Sequence, residues 1–99
     1  MNVIDRNIKM VHALCQKYKV NKLFVFGSIL TEKYKKESDI DLIVDFGNVE
    51  LYDYADNYFD FKCSLEELFK RDVDLLENQA IKNPYLRKSI DSNKQLIYG

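Results

Sequence analysis

The sequence predicts an α/β (α+β) chain, a small mixed sheet packed with helices, and three observations carry that expectation. Two stretches place apolar residues at steps of four and three, the mark of a helix with one buried face. Short runs rich in Val, Ile, Leu and Phe have the length of strands and are bounded by Gly, Asn or Asp. The two kinds of segment alternate along the chain, as they do in layered sheet-and-helix domains.

Taken in order, Ile4, Ile8, Val11, Cys15 and Tyr18 lie on one face of a first helix. Asn21 interrupts, and Lys22 to Phe26 reads as a short buried strand ending at Gly27-Ser28. The stretch from Ile29 to Lys36 is a weak helix or a loop. Asp39 to Phe46 is a second strand, stopped by Gly47-Asn48. Tyr54, Tyr58, Phe61, Leu65 and Leu68 mark a second amphipathic helix, and Asp72 to Leu76 a third strand of alternating character. Asn83-Pro84 breaks the chain, with Pro84 suited to the first turn of a helix that runs to about Asp91. Gln95 to Tyr98 closes the chain as a short strand.

Ninety-nine residues suit one domain, 1–99, and 46% hydrophobic residues suffice for a packed core. Three Gly and one Pro argue against a linker-rich or disordered chain. Lys and Arg number 15 against 16 Asp and Glu, a net charge of −1. No overall basic field exists to hold a phosphate backbone, so direct nucleic-acid binding is not expected. Cys15 and Cys63 lack zinc-ligand spacing, and each falls in an apolar helical pattern where a buried free thiol is the common case. No signal-peptide core and no run of membrane-spanning length occurs, so a cytoplasmic, membrane-free protein is expected.

Three features carry chemistry. Gly27-Ser28 follows a buried strand, where backbone N–H groups and a hydroxyl can cradle an anion. In Asp39-Ile40-Asp41, residues two apart on a strand point to one face, so two carboxylates project together while Ile40 and Leu42 bury. Carboxylate pairs of this kind suit Mg²⁺. In Asp72-Val73-Asp74-Leu75, either acid is placed to add a third carboxylate; both share a face, and spacing does not rank them. Three carboxylates can hold two divalent ions that clamp the attacking and leaving oxygens of a phosphoryl displacement. Taken singly, a turn, a solvated strand face and an edge strand would explain each feature. His12 reads as a helix residue that is partly buried or at the surface, and Arg71 as a solvated loop charge.

Phe26-Gly27-Ser28, Ser38-Asp39-Ile40-Asp41-Leu42 and Val73-Asp74-Leu75 together resemble the Gly-Ser, ten residues, Asp-x-Asp pattern and later Asp of the DNA polymerase beta-like nucleotidyltransferases. Within that superfamily the chain resembles the minimal nucleotidyltransferase (MNT) group over nearly its whole length. The resemblance implies a polymerase-beta-like nucleotidyltransferase fold, with Asp39, Asp41 and Asp74 (not Asp72) as catalytic, metal-binding acids and Gly27 and Ser28 on the nucleotide phosphates. It implies ATP as substrate, two Mg²⁺ ions, and a HEPN-domain toxin as partner in a hetero-oligomer. The MNT protein is then an MntA-type antitoxin that transfers AMP to a tyrosine of the toxin. One departure stands out: Thr31-Glu32 occupies the place where many members carry Arg-Gly, which bears on how the nucleotide is gripped. Lys33, Lys35 and Lys36 are nearby.

Two rival expectations come from other classes. A chain this small, with aromatics such as Tyr52, Phe59 and Phe69 beyond the helical stripes, would also suit a binding module that neutralises a toxin by occlusion. A nucleotidyltransferase acting on a small molecule is the other.

Overall fold

A computed structural model describes residues 3–26 and 39–99. Their elements are helices α1 (Val3–Arg6) and α2 (Ile8–Lys17), strands β1 (Val20–Phe26) and β2 (Ile40–Phe46), a single 3₁₀ turn (Leu51–Asp53), α3 (Tyr54–Phe69), β3 (Val73–Glu77), a second 3₁₀ turn (Asn78–Ala80), α4 (Pro84–Asn93) and β4 (Gln95–Tyr98). The expected alternation of helices and strands is observed. Gly27-Ser28, the Thr31-Glu32 departure and the weak helix or loop over Ile29–Lys36 lie outside the described residues.

The four strands form one mixed sheet in the order β3-β2-β1-β4. β1 runs antiparallel to β2 and β4, whereas β2 and β3 are parallel and are joined through α3. Parallel neighbours need such a crossover, because no tight turn can link them.

On one face of the sheet, Leu23, Val25, Ile40, Leu42, Val44, Phe46, Val73 and Leu75 meet Val11 and Cys15 of α2 and Phe61, Leu65 and Phe69 of α3 in a single core. Phe61 is fully buried, with its ring centroid 5.8 Å from that of Tyr18 and 5.9 Å from that of Phe46. On the other face, register places Phe24 beside Ile43 and Ile43 beside Leu76. Ile43 is buried there, apart from the main core, and Lys94 Nζ sits 4.4 Å from the centre of the Phe24 ring.

Several boundaries differ from the sequence reading, each for a local reason. The first helix is divided at Asn7, whose side-chain Nδ2 donates to Val3 O at 2.8 Å and competes with the helical ladder. β1 begins earlier than expected, at Val20, and absorbs Asn21 in an irregularity between Val20 and Lys22. α3 stops without a glycine: Lys70 takes the left-handed conformation at φ 56°, and its N–H donates to Glu66 O. α4 starts as expected, with Pro84 in its first turn and Asn83 Oδ1 accepting from Tyr85 N and Leu86 N.

Some side chains are placed differently from the sequence reading. Cys15 is buried, but Cys63 is exposed, because it lies off the Phe61–Leu65 stripe of α3. Phe69, grouped above with the surplus aromatics, packs into the core, while Tyr52 and Phe59 are exposed. His12 is partly buried as expected; its Nε2–H donates to Ile97 O at 2.8 Å and ties α2 to the edge strand. No helix among the described residues is long and apolar enough to cross a membrane.

Truncating Phe61 to Ala removes the ring around which this core is built. Unfolding in urea should show a loss of about 3–5 kcal/mol, a large share of the stability of a domain this size. A loss under about 1 kcal/mol would mean the helices are not held by this cluster.

Candidate active site

β2 turns Ile40, Leu42 and Val44 into the core, so Asp41, two residues from Ile43, faces the opposite side. Its neighbours in the sheet are set by register. In β3, Asp41 stands directly beside Asp74; in β1, it stands directly beside Phe26. Adjacent strands lie about 4.8 Å apart, so the Asp41 and Asp74 carboxylates rise from neighbouring points of one row. Asp39 precedes the strand and is exposed, Asp41 is half-buried, and Asp74 is exposed.

This crowding has an electrostatic signature. The Asp41 carboxyl is held above its ordinary value, first by burial and then by the charges of Asp74 and Asp39. The rival acid, Asp72, is not among the groups that raise it. Asp72 instead lies just ahead of β3, where its backbone oxygen accepts from Ile40 N at 3.0 Å. Of the two acids that spacing left unranked, Asp74 is thus the one that the fold brings to Asp41.

Gly27 and Ser28 lie outside the described residues, but the strand that leads to them does not. Phe26, the residue before Gly27, is the register partner of Asp41. Gly27 follows Phe26 directly in the sequence.

Side chains with no motif signature hold this geometry. Glu66 of α3 accepts from Val73 N at 3.0 Å, and the Tyr58 hydroxyl donates to Leu75 O. Both brace β3, the strand that presents Asp74. The Tyr58 phenol is raised by burial, then by the charges of Glu77 and Asp74. Tyr58 was legible only as a member of an apolar stripe, and Glu66 not at all. Arg71, read from the sequence as a solvated loop charge, is half-buried.

The donor set is all carboxylate oxygen, which suits a hard divalent ion, and the mutual repulsion at Asp41 is what such an ion would relieve. Among the described residues, no three His, Cys, Asp or Glu side chains already converge as a ready-made ion site. The fit lies in donor chemistry and register.

Residues 9–99 match the family described as "Polymerase beta, Nucleotidyltransferase". The chain belongs to that family. This nucleotidyltransferase is 41% identical over 85 residues to a Methanocaldococcus jannaschii protein named "Putative protein adenylyltransferase", covering 86% of this chain and 82% of the relative. Its fold is similar to that of a solved protein named "putative minimal nucleotidyltransferase", with a TM-score of 0.76 at 24% identity over 96% of this chain and 95% of the other. It is also similar to that of a chain in the tri-AMPylated Shewanella oneidensis HEPN toxin in complex with MNT antitoxin, with a TM-score of 0.65 at 17% identity over 96% and 71% of the two chains. The expected polymerase-beta-like nucleotidyltransferase fold is thereby found.

The raised Asp41 carboxyl predicts a measurable pH dependence. A carboxyl whose folded-state pKa is raised favours the fold while protonated, below about 3.9, and loses that contribution as pH rises through the raised value. In metal-free buffer at neutral pH, Asp41→Asn should therefore melt a few degrees above the parent. The difference should shrink towards zero as pH falls into the carboxylate range. A melting temperature that is unchanged or lowered at neutral pH would mean the acids do not repel one another.

Proposed function

We propose that the nucleotidyltransferase transfers AMP from ATP to a tyrosine of a HEPN-domain partner and thereby acts as its antitoxin. The observation that carries the chemistry is the row formed by Asp41 and Asp74, with Asp39 in the same field and Phe26, which Gly27-Ser28 follows in sequence, beside Asp41. The choice of a protein acceptor is supported by the names of the relatives.

In this reading the acceptor hydroxyl attacks the α-phosphorus of ATP. A new bond forms between that oxygen and the phosphorus, the α–β phosphoanhydride bond breaks, and pyrophosphate leaves. One of the three carboxylates takes the hydroxyl proton. Asp39, Asp41 and Asp74 would hold Mg²⁺, which when bound neutralises charge on the phosphates and aligns the attacking and leaving oxygens. Gly27 and Ser28 would hold the phosphates through backbone N–H groups and the Ser hydroxyl. β2 and β3 supply rigid support: Ile40 and Val73, flanking the two acids, are 0% and 2% exposed.

The test is a labelling assay with Mg²⁺, α-labelled ATP and the proposed HEPN-domain partner. Label should appear on the partner and disappear on chelation. In Asp39→Asn/Asp41→Asn it should fall on the order of 10²–10³-fold, the scale on which removing preorganised electrostatic groups acts. Undiminished labelling by that variant overturns the assignment of the acids. A tight complex that never takes label would favour occlusion instead.

A further inference from the structure

At the end of the sheet remote from Asp41, the chain leaves β2 through Gly47 and makes the turn Leu51–Asp53 before entering α3. Leu51 is 92% exposed and Tyr52 is 99% exposed, so neither serves the core. Single exposed apolar residues are ordinary. These two are consecutive, and they sit on an ordered turn closed by Asp53 N donating to Glu50 O at 2.9 Å.

Val49 and Tyr54, on either side of the pair in sequence, line a cavity of about 190 Å³ that also takes in Asp45, Glu77, Asn78 and Gln79. Its two carboxylates come from neighbouring strands, since Glu77 pairs in register with Val44, the residue before Asp45. Both charges reach the same place. The Tyr54 phenol donates to Glu77 and is pushed well above its ordinary value, first by burial, then by that hydrogen bond and by the charges of Glu77 and Asp45.

The segment that follows β2 is acidic, and the lysines at this end of the sheet, Lys22 beside Asp45 in register and Lys19, whose O accepts from Gly47 N, come from β1 and the turn before it. Residues 45–61 contain Asp45, Glu50, Asp53, Asp56 and Asp60 and no Lys or Arg, in a chain whose net charge is only −1. Glu50, Asp53, Asp56 and Asp60 are all exposed. A field of this sign repels phosphate and nucleic acid and attracts ammonium or guanidinium groups. An apolar contact beside an acid-lined socket fits a partner face that carries Arg or Lys next to apolar residues.

We propose that Leu51, Tyr52 and the Asp45–Glu77 cavity form the docking surface for the acceptor protein, which meets them with a basic, partly apolar face. This rests on the reading of the chain as a protein-directed adenylyltransferase. Phe46 at the docking end lies five steps along β2 from Asp41, roughly 16 Å at strand rise. The partner is thus gripped away from the acids, which stay open to ATP and to the segment carrying the acceptor hydroxyl.

The test is calorimetric titration of the proposed HEPN-domain partner into the parent and its variants. Leu51→Ser/Tyr52→Ser and Asp45→Asn/Glu77→Gln should each weaken binding about tenfold or more. The second should also flatten the salt dependence of the affinity. The melting temperature of the Leu51→Ser/Tyr52→Ser protein should match the parent, since both side chains lie in water. Asp39→Asn/Asp41→Asn should bind as the parent does. Unchanged affinity in both docking variants, or no binding by the parent, overturns the proposal. Self-association of the parent that is lost in Leu51→Ser/Tyr52→Ser would assign the surface to a second copy and overturns it as well. A complex that depends on these residues yet never takes label leaves docking standing and removes only the adenylylation reading.

Discussion

The parallel pairing of β2 with β3 is the constraint on which the site depends. It sets Ile40 against Val73 on the core face and Asp41 against Asp74 on the other. A slip of one residue would exchange the faces of β3, turning its acids towards α3 and its apolar residues outward. Two like charges at adjacent points would push the register away from this arrangement. What opposes them is the reverse face, where Ile40, Leu42, Val44, Val73 and Leu75 are at most 3% exposed. Ladder bonds add to it at the strand entrance, where Ile40 N donates to Asp72 O. Apolar burial on one face thus holds repelling charges in register on the other.

α3 braces both ends of the same strand. Near its C-terminus Glu66 receives Val73 N, close to Asp74; near its N-terminus Tyr54 donates to Glu77, and Tyr58 to Leu75 O between them. The helix has 16 residues, about 24 Å of rise. Its one polar edge therefore links the acid row to the exposed Leu51–Tyr52 turn. A partner bound at that turn would press on the element that also fixes where Asp74 stands.

Much of this was legible in the sequence because faces follow from period. The four-three steps found α2 and α3, and alternation found β2 and placed Asp39 and Asp41 on one side. What period does not carry is the partner of each face. Spacing could not rank Asp72 against Asp74, because the answer is a register between strands separated by a helix. It could not see Asn7 dividing the first helix, a contest between a side-chain amide and the backbone ladder. Cys63 was misplaced because an apolar pattern was read as burial without its position around α3, and Phe69 was set beyond the stripe that it extends by one further step of four from Leu65. Glu66 and Tyr58 left no pattern, since each acts through one hydrogen bond to a distant strand.

The acids are not explained by the fold that carries them. On the same face of the sheet, Phe24, Ile43 and Leu76 form an apolar row in register across three strands, and Ile43 is fully buried. Continuing that row through positions 41 and 74 would satisfy the sheet and remove a repulsion. Instead the next row has Phe26 followed by two carboxylates, with Asp39 adding a third charge, and burial raises the cost of ionising Asp41. Like charges gathered around a half-buried carboxyl are destabilising unless something of opposite charge offsets them. The place where sheet stability and sequence part company is therefore the place proposed above for a cation-bearing ligand. The opposite end of β2 repeats the logic in another form, with Asp45 and Glu77 gathered at a cavity beside two apolar side chains that face water.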